Sequence, residues 1–161
     1  MAVPFTAGQR ILAADLNTAT QQGAWTSYGV TWTSTGTAPA VGNGALVGYY
    51  GKVGRVVTVK ISLTSGSTTT YGTGVYIFSL PFAAATTGVP SAGIPQMGGW
   101  SMGNNGNGLF YGGPAAVQQG APNQVIGFVN ASANFMGATN PTTLSGAGSF
   151  ITITMTYEST S

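Results

Sequence analysis

From Trp25 onward the chain is written in short alternating runs of hydrophobic and polar residues. Val57, Val59, Ile61 and Leu63 alternate with Thr58, Lys60 and Ser62, the period of a strand with one buried face. Ile151, Ile153, Met155 and Tyr157 alternate in the same way with Thr152, Thr154 and Thr156. Residues 75–80 are apolar at both parities until Pro81 stops them, which predicts a central strand or one covered by a second subunit. Shorter strands are predicted at 28–33, 45–50, 109–111 and 125–129. Gly-Asn-Gly punctuates the chain at 42–44 and again at 106–108.

Residues 1–24 follow a different rule. Leu12 to Gln22 contains neither Gly nor Pro, and Leu12, Leu16 and Ala19 fall at helical spacing. Asp15 suits the first turns of such a helix and Gly23 suits its end. A helix this short is marginal in water unless it packs on something. The pattern therefore predicts an anchor arm over 1–24, with a short helix, and a head domain over 25–161. The head is expected to be all-β, a jelly-roll-like antiparallel β-sandwich.

Composition narrows what such a head can do. Of 161 residues only Arg10, Lys52, Arg55, Lys60, Asp15 and Glu158 carry charge, 4% of the chain where a typical domain has about 25%. Without Cys or His, thiol nucleophiles, histidine bases, disulfides and zinc sites built on those residues are excluded. No metal and no cofactor is expected. The surface must be hydroxyl and amide, and a net charge of +2 favours association over mutual repulsion. Lys52, Arg55 and Lys60 sit on or beside one strand and read as solvated edges, so no nucleic-acid partner is expected. Residues 1–10 show no secretory pattern and no apolar run is long enough for a membrane span, so the product is expected to be made in a cytoplasm with no membrane partner.

Three stretches are candidates for chemistry. The Gly-rich run 103–108 lacks the Gly-Lys-Ser/Thr ending of a phosphate loop and reads as a surface turn. Thr68, Thr69 and Thr70 have no base to activate them. Residues 97–111 bring Trp100, Phe110 and Tyr111 together with Asn104, Asn105 and Asn107, of which Trp100, Tyr111 and the three asparagines are singled out. Aromatic platforms beside amides suit sugar rings, so these five residues are candidate carbohydrate contacts, though an oligomer interface or loop tip shares that mixture.

Two segments resemble known proteins. Ala7-Gly8-Gln9-Arg10-Ile11-Leu12-Ala13-Ala14-Asp15-Leu16-Asn17 resembles the opening of many tail and virion surface proteins of tailed bacteriophages. Trp25 to Phe82 is similar to a module of phages of Gram-positive, especially actinobacterial, hosts. The residues that carry it are Tyr28-Gly29-Val30-Thr31-Trp32-Thr33, Gly48-Tyr49-Tyr50, Gly54-Arg55-Val56-Val57 and the run from Gly66 to Gly74. Val30 stands where that module often has Pro, which predicts a strand free to pair more fully.

The resemblance implies a non-enzymatic virion surface protein. The short chain favours a trimeric capsid decoration protein attached to the major capsid protein through Phe5, Ile11, Leu12 and Leu16. The alternative is a tail-tip or fibre-tip protein, bound to tail proteins, that recognises a host surface glycan.

Overall fold

A computed structural model describes residues 24–85, 97–118, 120–129 and 134–161. The anchor helix and the contacts expected of Phe5, Ile11, Leu12 and Leu16 lie outside the described residues. Within them the protein is all-β and antiparallel: β1 (Thr26–Tyr28), β2 (Trp32–Ser34), β3 (Ala45–Val53), β4 (Val56–Thr64), β5 (Tyr76–Ser79), β6 (Met97–Asn104), β7 (Leu109–Gln118), β8 (Ala121–Gly127) and β9 (Phe150–Glu158).

The nine strands form one continuous sheet in the order β1-β3-β4-β9-β6-β7-β8-β5-β2. The two strongest alternating segments, β4 and β9, lie side by side at its middle, Val56 opposite Glu158 and Thr64 opposite Phe150. Their inward residues Val57, Val59, Ile61, Leu63, Ile151, Ile153, Met155 and Tyr157 are all buried, while the intervening Thr, Ser and Lys side chains face outward. Trp32, Tyr76, Phe78, Trp100, Met102, Val117 and Met136 complete the core.

The sheet curls until its two edges meet. β1 and β2 occupy opposite edges yet are joined by residues 29–31, which can span at most about 14 Å. Thr31 extends the β2–β5 ladder beside the seam: its N–H donates to Ser79 Oγ at 2.9 Å and its carbonyl accepts from Ser79 N–H at 3.1 Å. Tyr28 Oη also donates to the Ser79 carbonyl, at 3.1 Å. The segment expected as one fully paired strand over 28–33 is thus broken at its centre, because the chain leaves β3 there and joins β5. The all-β, antiparallel expectation is met by a single curled sheet of nine strands among the described residues.

β6 was not anticipated, because Met97-Gly98-Gly99-Trp100-Ser101-Met102-Gly103-Asn104 looks too glycine-rich for a strand. Two of its glycines, Gly98 and Gly103, are packing positions. A Cβ on Gly98 would sit 2.2 Å from Met155 Cβ, and one on Gly103 would sit 2.3 Å from the Phe150 ring. Neighbouring side chains of β9 fill the space those glycines leave.

β5 answers the question raised by its two apolar faces. Tyr76 and Phe78 point into the core. On the outer side Val75 and Ile77 share a groove of about 110 Å³ with Thr35, Gln118, Ile126 and Phe135 of the same chain.

Candidate functional site: two ends of the head

Every turn that follows β3's start, β4's end, β6's end and β9's start lies at one end of the curled sheet, because Ala45 pairs with Thr64, Thr64 with Phe150, and Gly103 with both Phe150 and Phe110. Both Gly-Asn-Gly triplets fall there, and Gly42 and Gly108 adopt φ of 59° and 70°, which favours glycine. This is the distal end, away from the 53–56 turn.

Hydrogen bonds stitch the distal loops in a row. Thr68 N–H donates to Asn43 Oδ1 and Asn43 N–H to Thr68 Oγ1, both at 2.9 Å. Thr69 Oγ1 donates to the Val41 carbonyl at 2.6 Å. Ser65 N–H donates to the Ser149 carbonyl and Gly148 N–H to the Ser65 carbonyl, each at 2.8 Å. The threonines 68 and 69 thus serve the fold as loop staples.

Asn104 is the hub of this network. It is 2% exposed, and its Nδ2 donates to the Thr143 carbonyl at 2.9 Å. Its Oδ1 accepts from Gly106 N–H at 3.0 Å and from Ser145 N–H and Oγ at 3.3 Å. Asn105 N–H donates to Ser149 Oγ at 2.9 Å and its Nδ2 to the Ala147 carbonyl at 2.7 Å. Asn107 is exposed; its Oδ1 accepts from Leu109 N–H at 3.0 Å.

The five candidate sugar contacts are therefore divided. Trp100 points into the core, 4% exposed, with its indole N–H donating to the Phe128 carbonyl at 2.8 Å. Tyr111 lies opposite Met102 and packs on the core. Neither ring is a surface platform, and Asn104 is fully engaged inside. Strand alternation explains this: Trp100, Met102 and Asn104 share the inward parity of β6. Asn105 and Asn107 remain at the surface. Of the three aromatics in this stretch the one that stands out is Phe110, 77% exposed, beside Phe150 with ring centroids 6.0 Å apart. Position 110 faces outward because Tyr111 faces inward, a parity that could be read once the strand was known.

The opposite, proximal end and its adjoining face carry most of the other exposed apolar groups. Val47, Tyr49 and Val53 line the outward parity of β3, Val56 opens β4, and Trp25 precedes β1. Continued by one residue, the β1–β3 register places Trp25 beside Gly51, where a Cβ would meet nothing within 4 Å. Lys60 lies directly opposite Tyr49, and Trp25, Tyr49 and Lys60 line a shallow groove of about 270 Å³. Further outward on the same face runs a hydroxyl grid of Thr58, Thr154 and Thr156, with Thr58 and Thr156 bonded at 3.0 Å.

The charged side chains near this face are dispersed. Arg55 pairs with Glu158 at 3.2 Å with both side chains about half exposed, a geometry of small energetic weight. Lys52 lies over the Phe82 ring, 4.8 Å from its centroid. Buried phenols supply the perturbed titrations. Burial raises Tyr28 and Tyr76 far above the ordinary tyrosine value. It pushes Tyr157 up to about 12, against the opposing effect of its hydrogen bonding with the Phe82 backbone.

Fold and surface together define a class, an antiparallel all-β domain with an apolar proximal face and an amide-laced distal end. No protein-family model, curated protein or solved structure matches the chain.

Proposed function

We propose that this is a non-enzymatic structural protein of a tailed-phage virion, a capsid decoration protein seated on the outer shell. The seat is the outer face of β1, β3 and β4 together with the arm over 1–24 that leads into it. One observation carries this reading beyond the sequence resemblance: Trp25, Val47, Tyr49, Val53 and Val56 are all exposed on that face, beside the point where the arm joins the head. Burying such side chains against a neighbouring subunit gains about 25 cal/mol per Å² of apolar area removed from water.

The head is jelly-roll-like in this reading. The support is two Greek-key paths, β9-β6-β7-β8 and, counting β1 and β2 as one bent strand, β5-β2/β1-β3-β4. Its oligomer is a homotrimer, and the groove beside Val75 and Ile77 is where a second copy would press.

The test is co-sedimentation of the purified chain with phage heads lacking it. Wild-type protein is expected to bind, and Trp25→Ala combined with Val47→Ser is expected to bind at least tenfold more weakly. Immunogold over heads supports decoration. Gold confined to the tail end favours a tip protein that recognises host glycan, a reading supported by the exposed Phe110 on the distal loops.

A further inference from the structure

The distal end holds a small, preformed dimple between Phe110 and Phe150. Its floor and walls are Gly103, Asn104, Asn105, Gly108 and Gly148, and its volume is about 70 Å³. That is roughly half of the ~150 Å³ apolar cavity that holds a benzene ring. A group of three or four heavy atoms fits; a sugar ring or an aromatic side chain does not.

The dimple has two kinds of wall. One is aromatic, with the Phe110 and Phe150 rings inclined at 51°. The absence of a side chain on Gly103 lets the Phe150 ring lie against the strand. The other wall is amide. Asn105 spends its backbone N–H on Ser149 and its Nδ2 on the Ala147 carbonyl, which leaves Oδ1 without a protein donor among the described residues. A guest matching both walls carries a methyl group next to an N–H donor.

Phe110 adds a third feature. Its ring is 77% exposed, so it extends past the dimple as an apolar face turned to solvent. Pyranose rings present an apolar face to such a ring. The loops beneath are held by the Asn104 hub, so little ordering is required on binding.

We infer that the Phe110–Phe150 dimple is a binding site for an N-acetylated sugar, with the acetamido methyl between the two rings, the acetamido N–H donated to Asn105 Oδ1 and the pyranose ring against Phe110. This site is independent of the seating face, at the other end of the head. Its failure would leave the decoration reading untouched, and the reverse also holds.

Saturation-transfer difference NMR on the full chain tests it with three probes at equal millimolar concentration: N-acetylglucosamine, glucose and N-acetylalanine amide. The expected result is strong transfer to the acetyl methyl protons of N-acetylglucosamine and little to the other two. Phe110→Ala, at a position so exposed that folding is unaffected by near-UV circular dichroism, is expected to weaken binding about tenfold, equivalent to about 1.4 kcal/mol. Phe110→Leu, which keeps bulk without the ring, is expected to fall in between. Equal transfer to glucose would overturn the acetamido assignment. Equal transfer to N-acetylalanine amide would overturn the sugar. No transfer to N-acetylglucosamine, or transfer unchanged in Phe110→Ala, would overturn the site.

Discussion

Replacing Asn104 with alanine tests whether the distal loops are a rigid structure or an adaptable contact surface. The side chain is 2% exposed and joins β6 to the 142–145 segment by donating to the Thr143 carbonyl at 2.9 Å and to Thr142 Oγ1 at 3.4 Å and by accepting from Ser145 N–H and Oγ at 3.3 Å. It also accepts from Gly106 N–H of its own turn at 3.0 Å. Gly106 N–H keeps a second acceptor, the Ser145 carbonyl at 3.0 Å, so its loss is small. The Thr143 carbonyl and Ser145 N–H lose their Asn104 partner. A buried group left unpaired costs about 1–3 kcal/mol, and since Thr143 and Ser145 are themselves exposed each loss sits near the low end of that range. The two losses together should destabilise the head by about 2 kcal/mol. Urea unfolding followed by the fluorescence of the buried Trp32 and Trp100 measures it directly. With a slope of about 1–3 kcal/mol per molar urea, the midpoint should fall by about 0.7–2 M with the slope unchanged. Asn107→Ala is the control: that side chain is exposed and holds one bond of 3.0 Å and one long one of 3.4 Å, so its loss should stay below about 1 kcal/mol. Equal losses for the two substitutions, or less than about 1 kcal/mol for Asn104→Ala, would refute the hub.

The adjacent glycines of β6 should behave oppositely. Gly98→Ala drives a Cβ to 2.2 Å from Met155 and 2.4 Å from the Thr154 carbonyl and should lower stability by at least about 2 kcal/mol, while Gly99→Ala, with its nearest contact at 3.9 Å, should melt within a few degrees of wild type. Tyr157, held near 12, binds its proton more tightly folded than unfolded, so its contribution is complete below pH 10 and is lost as pH rises from 10 to 12. Alkaline titration of wild type and Tyr157→Phe should show the wild type losing up to about 2–3 kcal/mol more across that window. Seating on phage heads should survive ~1 M NaCl, since the face carries few charges to screen, and release of the chain by salt at neutral pH would contradict an apolar seat.

What could be read from the sequence follows the physics of each element. β4 and β9 announce themselves because each has one wet and one dry face, and the structure places them at the centre of the sheet. β6 escaped notice because its side-chain volume is supplied by neighbours: Gly98 and Gly103 make sense only once Met155 and Phe150 lie across from them. The break at 29–31 was equally hidden, since nothing local says that a strand changes partners there. The same cause divides the candidate sugar contacts. Trp100 and Asn104 carry the right chemistry for a sugar, but the inward parity of an unseen strand turns both into the core. Asn105 and Phe110, one residue away from inward-facing neighbours, keep their chemistry at the surface.

The placement of β9 also governs how the chain can be made. It is the last of the nine strands along the sequence, yet it lies between β4 and β6. Until residues 150–158 leave the ribosome, the nascent chain holds two separate ribbons, β1-β3-β4 and β6-β7-β8-β5-β2, joined at the bend over 29–31. Each ribbon would have its oily side open to water and an unpaired edge where β9 belongs, a hazard for self-association. The head therefore closes only once residues 150–158 have emerged, by inserting β9 between partners such as Val56, which is 102 positions upstream of Glu158 (158 − 56). Closure over that span belongs to the slow, non-local regime of folding, milliseconds to seconds.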